Sequence, residues 1–284
     1  YFDVTLDSHA INAAPSSDRG AWGIGDHYAF EKVYEILREN DLKKIPTFVF
    51  ILTVTNHPLY DTPKSYKPYP ITISPQVASM LNSDLNLHDM LSTYQYANDA
   101  LGKFVSAVKE DGSLSHKTII GASGDHPHRG FNFAPSELFY KYNVPFYLFV
   151  PSSILSNVKY KYDPKKFGSH RDIPRTLLEF SLSDTKYLYL GNNLLSPASN
   201  VDFIGAHNNE LLADDQGVYV LRDSEKFFQW NKAKPMMVSE TAADSSPELK
   251  KKFEKLQAFE AFEKWLTFWQ HQNDGKVIPN KSDH

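Results

Sequence analysis

The sequence predicts an α/β layered domain, a parallel-type sheet with helices on both faces, followed by a small antiparallel sheet and a terminal amphipathic helix. Three observations predict it. Residues 46–54, 117–122 and 144–150 are near-continuous apolar runs rich in β-branched and aromatic residues, the pattern of strands buried on both faces. Amphipathic helical segments alternate with these runs, as they do where helices cover both faces of a sheet. Past residue 184 the pattern changes to short strand-like segments separated by turn residues. The division expected from this is a main α/β domain over residues 1–183 and an appendage over 184–284.

Taken in order, Tyr1 to Val4 read as an interior strand with no methionine ahead of it, so the numbering is expected to begin inside a longer protein. Asp26 is placed to cap a helix running to about Asn40, with Phe30, Val33, Ile36 and Leu37 at helical spacing. Trp22 reads as a buried ring. After the first apolar run, Pro58, Pro63, Pro68, Pro70 and Pro75 exclude regular structure from most of residues 58–88. A helix over about 90–110 carries Tyr94, Ala97, Leu101, Phe104, Val105 and Val108 on one face and ends at an Asp111-Gly112 turn. Another helix is predicted near 173–180, with His170 at its start as a cap. Residues 187–190, 201–204, 218–221 and 226–230 supply the short strands. Residues 247–272 form the terminal helix, whose stripe of Phe253, Leu256, Phe259, Phe262, Leu266 and Trp269 either packs on the body or lies against lipid.

Composition narrows the function class. The 284 residues are 41% hydrophobic and 23% charged, ordinary for a globular protein. A net charge of −4 without a basic block gives no reason to expect a nucleic-acid partner. Aromatic residues reach 14%, enough to fill a core and also to line a site that grips sugars or lipid head groups. There is no cysteine, which favours an extracytoplasmic location. No signal peptide is visible, and no apolar run is as long as a membrane span.

The chemistry gathers where strands end. In open α/β sheets, ligands bind beyond the carboxyl ends of strands. Two of the apolar runs end in Thr55-Asn56-His57-Pro58 and in Gly124-Asp125-His126. Asp125 and His126 place a hard oxygen beside an imidazole nitrogen, ligand types that suit Mn2+ or Zn2+, although the same dipeptide also serves as a loop cap or a solvated pair. His57 before proline is either a site residue or a loop hydrogen-bonder. His128 and Arg129 follow closely, and Arg pairs well with phosphate oxygens, although both suit a solvated loop equally.

These segments, in this order, resemble the sulfatase-like domain of lipoteichoic acid synthases and related phosphoglycerol transferases of the alkaline phosphatase superfamily. The resemblance runs through Trp22-Gly-Ile-Gly-Asp26, Thr55-Asn-His57-Pro58, Thr118-Ile-Ile-Gly-Ala-Ser-Gly-Asp125-His126, Asp172-Ile-Pro174-Arg-Thr176-Leu-Leu178, Gly191-Asn-Asn-Leu-Leu195 and Gly217-Val-Tyr-Val-Leu-Arg-Asp223. It spans residues 1 to about 230. Where relatives often carry glycine or another small residue after the Asp-His pair, this chain has Pro127-His128-Arg129.

The resemblance implies a sulfatase-like fold and roles for particular residues. Asp125 and His126 match metal ligands of the family site, for Mn2+ or another divalent cation such as Zn2+ or Mg2+. His57 matches a substrate-side histidine, and His128 and Arg129 are expected to add phosphate contacts. The family's nucleophilic threonine, its acidic metal ligand and a tryptophan and arginine that hold the phosphoglycerol are expected upstream of Tyr1. The implied donor is a phosphatidylglycerol-like lipid, and the acceptor a glycerol polymer, a glucan or water. The full-length protein is expected to be membrane-anchored through a region preceding this sequence. A sulfatase or phosphodiesterase on the same scaffold, and a non-catalytic lipid-binding relative, are the other two readings.

Overall fold

The computed structural model describes residues 6, 15–81, 86–160, 162–163, 166–187, 191–196, 205–208, 210–221, 225–244 and 247–272. In chain order its elements are β1 (Arg19–Gly20), β2 (Gly23–Ile24), α1 (Asp26–Leu42), α2 (Pro75–Ser79), α3 (Leu87–Glu110), β3 (Ile120–Ser123), β4 (Phe146–Phe149), α4 (Ser152–Leu155), α5 (Asp172–Ser181), β5 (Ala206–His207), β6 (Leu211–Ala213), β7 (Gly217–Val220), β8 (Lys226–Gln229) and α6 (Pro247–Gln272). Among the described residues β1 pairs with β2, β3 with β4, and β5 to β8 form a four-stranded sheet in sequential order. The strands expected at 1–4 and 201–204 lie outside the described residues, as do residues 188–190 of the segment expected at 187–190. By internal contacts the chain divides into two compact units, residues 1–120 with 128–132 and 147–156, and residues 121–127 with 133–146 and 157–284.

The first unit is built on two antagonistic demands, helix formation and burial, that α1 and α3 satisfy together. Phe30 and Val33 of α1 are buried against Tyr96, Ala100, Phe104 and Val108 of α3, with Leu114 closing the cluster. The Phe30 and Phe104 rings stack with centroids 5.2 Å apart. Asn86 caps α3 by accepting the Asp89 N–H, and the Asp111 carboxylate ends it by accepting the N–H groups of Ser113 and Leu114, each at 2.9 Å. Those two backbone donors hold the Asp111 carboxyl below its ordinary value. The buried stripe of α3 is turned from the expected face, since Tyr94 is exposed and Tyr96 buried. Among the described residues of the proline-rich stretch before α3, α2 is the one regular element, started by Pro75 and capped by the Ser74 hydroxyl.

Residues 45–54 correct an expectation. No helix or strand is assigned to them, but burial alternates along residues 48–52 as it does along an extended chain. Val49 and Ile51 pack on the α1–α3 core, while Phe48, Phe50 and Leu52 point outward and are exposed. Alternation along an extended chain puts these two sets on opposite faces, so the run is buried on one side rather than two. β3 and β4 also depart from the expected two-sided burial. Their residues are half-buried or exposed and none is fully buried, and Tyr147 faces outward.

In the second unit, β5 to β8 form an antiparallel meander with Leu212 opposite Tyr219 and Val218 opposite Phe228. Both faces are covered. Leu212, Tyr219 and Phe227 meet Leu249, Phe253 and Leu256 of α6 on one side. Leu211, Ala213 and Val218 meet Val238, Leu138, Phe139, Phe167 and Trp230 on the other. Only the first half of α6 is buried in this way. Phe262, part of the stripe expected to pack on the body, is 44% exposed. No helix of the described residues is long and apolar enough to cross a membrane.

An ion cluster fixes the middle of α6. Arg171, just before α5, contacts Glu260 and donates to Glu263 at 3.1 Å, and His207 of β5 lies 3.4 Å from Glu260. At 3.4 Å the histidine contact is looser than a normal hydrogen bond, and both ring nitrogens are buried without one. Burial, and then the Arg171 charge, push the His207 imidazole below its ordinary value of 6.5, outweighing the pull of Glu260, with Lys252 adding to the depression. A depressed folded-state value means that the unfolded chain binds the proton more readily. The stability His207 contributes is therefore complete above about 6.5 and is lost as the pH falls below it. Thermal melts between pH 7.5 and 5 should show the midpoint falling on the acid side, with a shallower fall in His207→Phe. Equal slopes for the two proteins would remove His207 from the pH response.

Candidate functional site

In the second unit β3 delivers the chain to Gly124, Asp125 and His126. Asp125 Oδ1 accepts the His126 backbone N–H at 2.9 Å, a local turn that folds the carboxylate back over the imidazole. His126 Nδ1 lies 2.8 Å from the Pro127 carbonyl oxygen, which only accepts, so Nδ1 carries the proton and Nε2 presents its lone pair. Nε2 is 3.5 Å from Asp125 Oδ2, and the two side chains are 51% and 81% exposed.

The loop is held from the residues just ahead of α5. His170 Nε2 donates to the Gly124 carbonyl at 2.7 Å, one residue before Asp125. His170 is not the expected helix cap, since the N-cap position of α5 is Arg171 and carries no side-chain cap, while the Asp172 carboxylate accepts the Ser169 N–H at 2.7 Å and the Asn192 N–H at 2.6 Å. Thr176 continues this framework by donating to the Asp172 carbonyl at 2.6 Å and accepting the Leu194 N–H at 2.9 Å. Burial pushes the Asp172 carboxyl up although these donors favour its ionised form. No spacing rule joins His170 to Gly124, so the sequence offered no signal for this contact.

In the first unit the extended segment ends in a clamp. Asp26, the first residue of α1, accepts the N–H groups of Val54 and Thr55 at 2.9 and 3.1 Å through Oδ1, and the Thr55 hydroxyl accepts the Asp26 N–H at 3.3 Å. Asp26 is thus a tie between helix and strand end rather than the expected cap, and its Oδ2 is buried without a partner. Beyond the clamp, Thr93 Oγ1 lies 3.2 Å from Asn56 Oδ1. His57 faces Trp22, ring centroids 4.2 Å apart, and Trp22 Nε1 donates to the Pro58 carbonyl at 2.8 Å. Trp22 is 57% exposed, which corrects the expected buried ring. With His57 it lines a cleft that also includes Asp18, Thr55 and Asp61.

His128 and Arg129 fall in the same unit as His57, and Asp125 and His126 in the other. His128 Nδ1 accepts the Gly130 N–H at 2.9 Å, leaving Nε2–H to donate to the Tyr60 oxygen at 2.5 Å. Tyr60 is three residues beyond His57 and donates its own N–H to the His57 carbonyl at 2.9 Å, so one turn links the two histidines. Leu59 and Tyr60 both take positive φ, 88° and 42°, a conformation costly for side chains of this size and typical of segments held for function. Arg129 is exposed.

The donor set can be tested against a divalent cation. A carboxylate oxygen and a neutral imidazole nitrogen 3.5 Å apart have the separation of two ligands sharing one ion at bond lengths of about 2.0–2.2 Å. The Nδ1–carbonyl hydrogen bond of His126 is the kind of support that ligating histidines carry. The pair therefore fits a cation. Among the described residues no group of three or more His, Asp or Glu side chains converges, so the pair supplies two donors of a larger set.

Two solved structures share this fold. A protein of the alkaline phosphatase superfamily from Vibrio parahaemolyticus superposes with a TM-score of 0.64 at 19% identity, covering 93% of this chain and 60% of its own. The lipoteichoic acid synthase LtaP from Listeria monocytogenes superposes with a TM-score of 0.57 at 18% identity, covering 94% of this chain and 63% of its own. The chain thus spans about three fifths of the length of each. No family model and no curated protein matches the sequence. The fold is the sulfatase-like, alkaline-phosphatase-like α/β fold that the sequence predicts.

Proposed function

We propose that this chain is the C-terminal part of an extracytoplasmic, metal-dependent phosphoglycerol transferase acting on a phosphatidylglycerol-like lipid, in a protein anchored to the membrane by a region outside this sequence. The observation that carries the reading is the Asp125–His126 pair at the end of β3, with a free Nε2 lone pair beside a carboxylate oxygen. Asp125 and His126 would hold Mn2+, or Zn2+ or Mg2+ in its place. Such a cation, when bound, neutralises charge on the phosphoryl oxygens and makes phosphorus easier to attack.

The reaction runs in two displacements. A threonine hydroxyl supplied from outside this sequence attacks phosphorus, the bond to the diacylglycerol oxygen breaks, and the hydroxyl proton ends on diacylglycerol. An acceptor hydroxyl, from a glycerol polymer, a glucan or water, then attacks the phosphoglyceryl ester and returns a proton to threonine. His57 hydrogen-bonds the phosphoryl oxygen or glycerol hydroxyl and passes a proton, with the Trp22 ring fixing its plane. His128, oriented by Tyr60, and Arg129 bind the phosphate oxygens. His57→Ala in the full-length protein should lower turnover of a head-group-labelled phosphatidylglycerol about 100-fold, the scale of one positioned acid–base group, with metal content unchanged. Turnover equal to wild type would take His57 out of the site.

A further inference from the structure

Helix α6 is built inside out in its second half. Leu249, Phe253 and Leu256 are buried, and Glu260 and Glu263 continue the same face at intervals of three and four residues. That inner face thus changes from apolar to ionic, with both carboxylates held by Arg171. At about 100° per residue, Phe262 stands opposite Phe253. From there Phe262, Trp265 and Trp269 form an aromatic row, with centroid spacings of 5.9 and 6.5 Å. Phe262, Trp265 and Phe268 are 44%, 50% and 60% exposed. A helix docked on a water-soluble body ordinarily shows the reverse, apolar side chains inward and charges outward.

We infer that the outer face of this half of α6 is a docking surface for the head-group layer of a lipid bilayer. The side-chain chemistry selects that occupant. Two tryptophans and two phenylalanines within one helical face suit the interface between water and hydrocarbon, where rings bury an apolar body and tryptophan keeps a wet N–H. Lys264 flanks the row, and between Lys255 and Gln272 the only carboxylates are Glu260 and Glu263, both turned to Arg171, so the outer face offers anionic lipid no repulsion. A second copy of the chain is a poorer match. The three exposed rings present on the order of 300 Å2, against about 800 Å2 per partner in a stable dimer. The inference stands on α6 and does not require the transferase reading.

The test is co-sedimentation of the extracytoplasmic portion that includes this chain, freed of any membrane anchor, with phosphatidylcholine vesicles with and without phosphatidylserine, lipids that are not the proposed donor. Binding should be stronger to the anionic vesicles, and brominated acyl chains should quench tryptophan emission. Phe262→Ser with Trp265→Ser and Phe268→Ser should lower the partition coefficient about tenfold or more, with an unchanged melting midpoint, because none of the three is buried. Trp265→Glu alone should act in the same direction and guards against a misfolded triple variant. No binding by the unsubstituted protein, equal binding by folded variants, or a concentration-dependent dimer that the triple variant abolishes would each overturn the inference.

Discussion

Replacing Asp125 and His126 together by alanine is expected to lower turnover of a phosphatidylglycerol donor at least about a thousandfold, the loss seen when a principal source of transition-state charge stabilisation is removed. The protein should remain folded. Both side chains are exposed, and their hydrogen bonds are confined to each other and to the next residue. Surface changes of this kind cost about 0.5 kcal/mol or less, a shift of about 2 °C in a domain of this size. A folded double variant with near-normal turnover would refute the proposed role of the pair. Each single substitution should approach the double one, because a cage that loses one ligand leaves the other without a purpose, a non-additivity expected of groups acting as a unit.

Gly191→Ala is expected to produce the largest loss of stability of any change of one methyl group in the second unit's site framework. An added Cβ at Gly191 would stand 2.0 Å from the Arg171 carbonyl oxygen and 2.9 Å from the Asp172 Cα. These are backbone atoms at the start of α5, and Asp172 there is already fixed by the N–H groups of Ser169 and Asn192. The segment has no flexible side chain to move aside, so either α5 or residues 191–194 must shift and break those bonds. A cost of about 3 kcal/mol or more follows from overpacking plus a lost buried hydrogen bond, measurable as a lower urea midpoint with an unchanged slope. Because His170, just ahead of α5, holds Gly124, the same variant should weaken metal binding at Asp125 and His126. Wild-type stability in Gly191→Ala would mean that this close approach does not exist in solution.

Much of the fold was legible because helices announce themselves by period and punctuation. Asp26 to Leu42, Leu87 to Glu110, Asp172 to Ser181 and Pro247 to Gln272 fall where apolar spacing and the Asp111-Gly112 turn put them. What a segment buries was harder to read. The run at 46–54 has the composition of a two-sided strand, but composition sets how much apolar surface a segment can bury, not what covers it. Val49 and Ile51 find the α1–α3 core, and Phe48, Phe50 and Leu52 face outward. In α6 a single stripe from Phe253 to Trp269 was expected, yet those residues drift around the helix and resolve into two opposed rows. The Asp125–His126 pair was visible as residue types at a strand end. The contacts that hold the candidate residues within each unit were not, because those of His170 with Gly124, of Tyr60 with His128 and of Trp22 with His57 join residues between 35 and 68 positions apart and leave no local pattern.

The central claim is that Asp125 and His126 are ligands of a divalent cation. Titrating Mn2+ into the full-length protein by calorimetry tests it most directly. The wild type should show one site per chain, and that site should be lost in the Asp125→Ala, His126→Ala variant. Undiminished Mn2+ affinity in a folded double variant would contradict it.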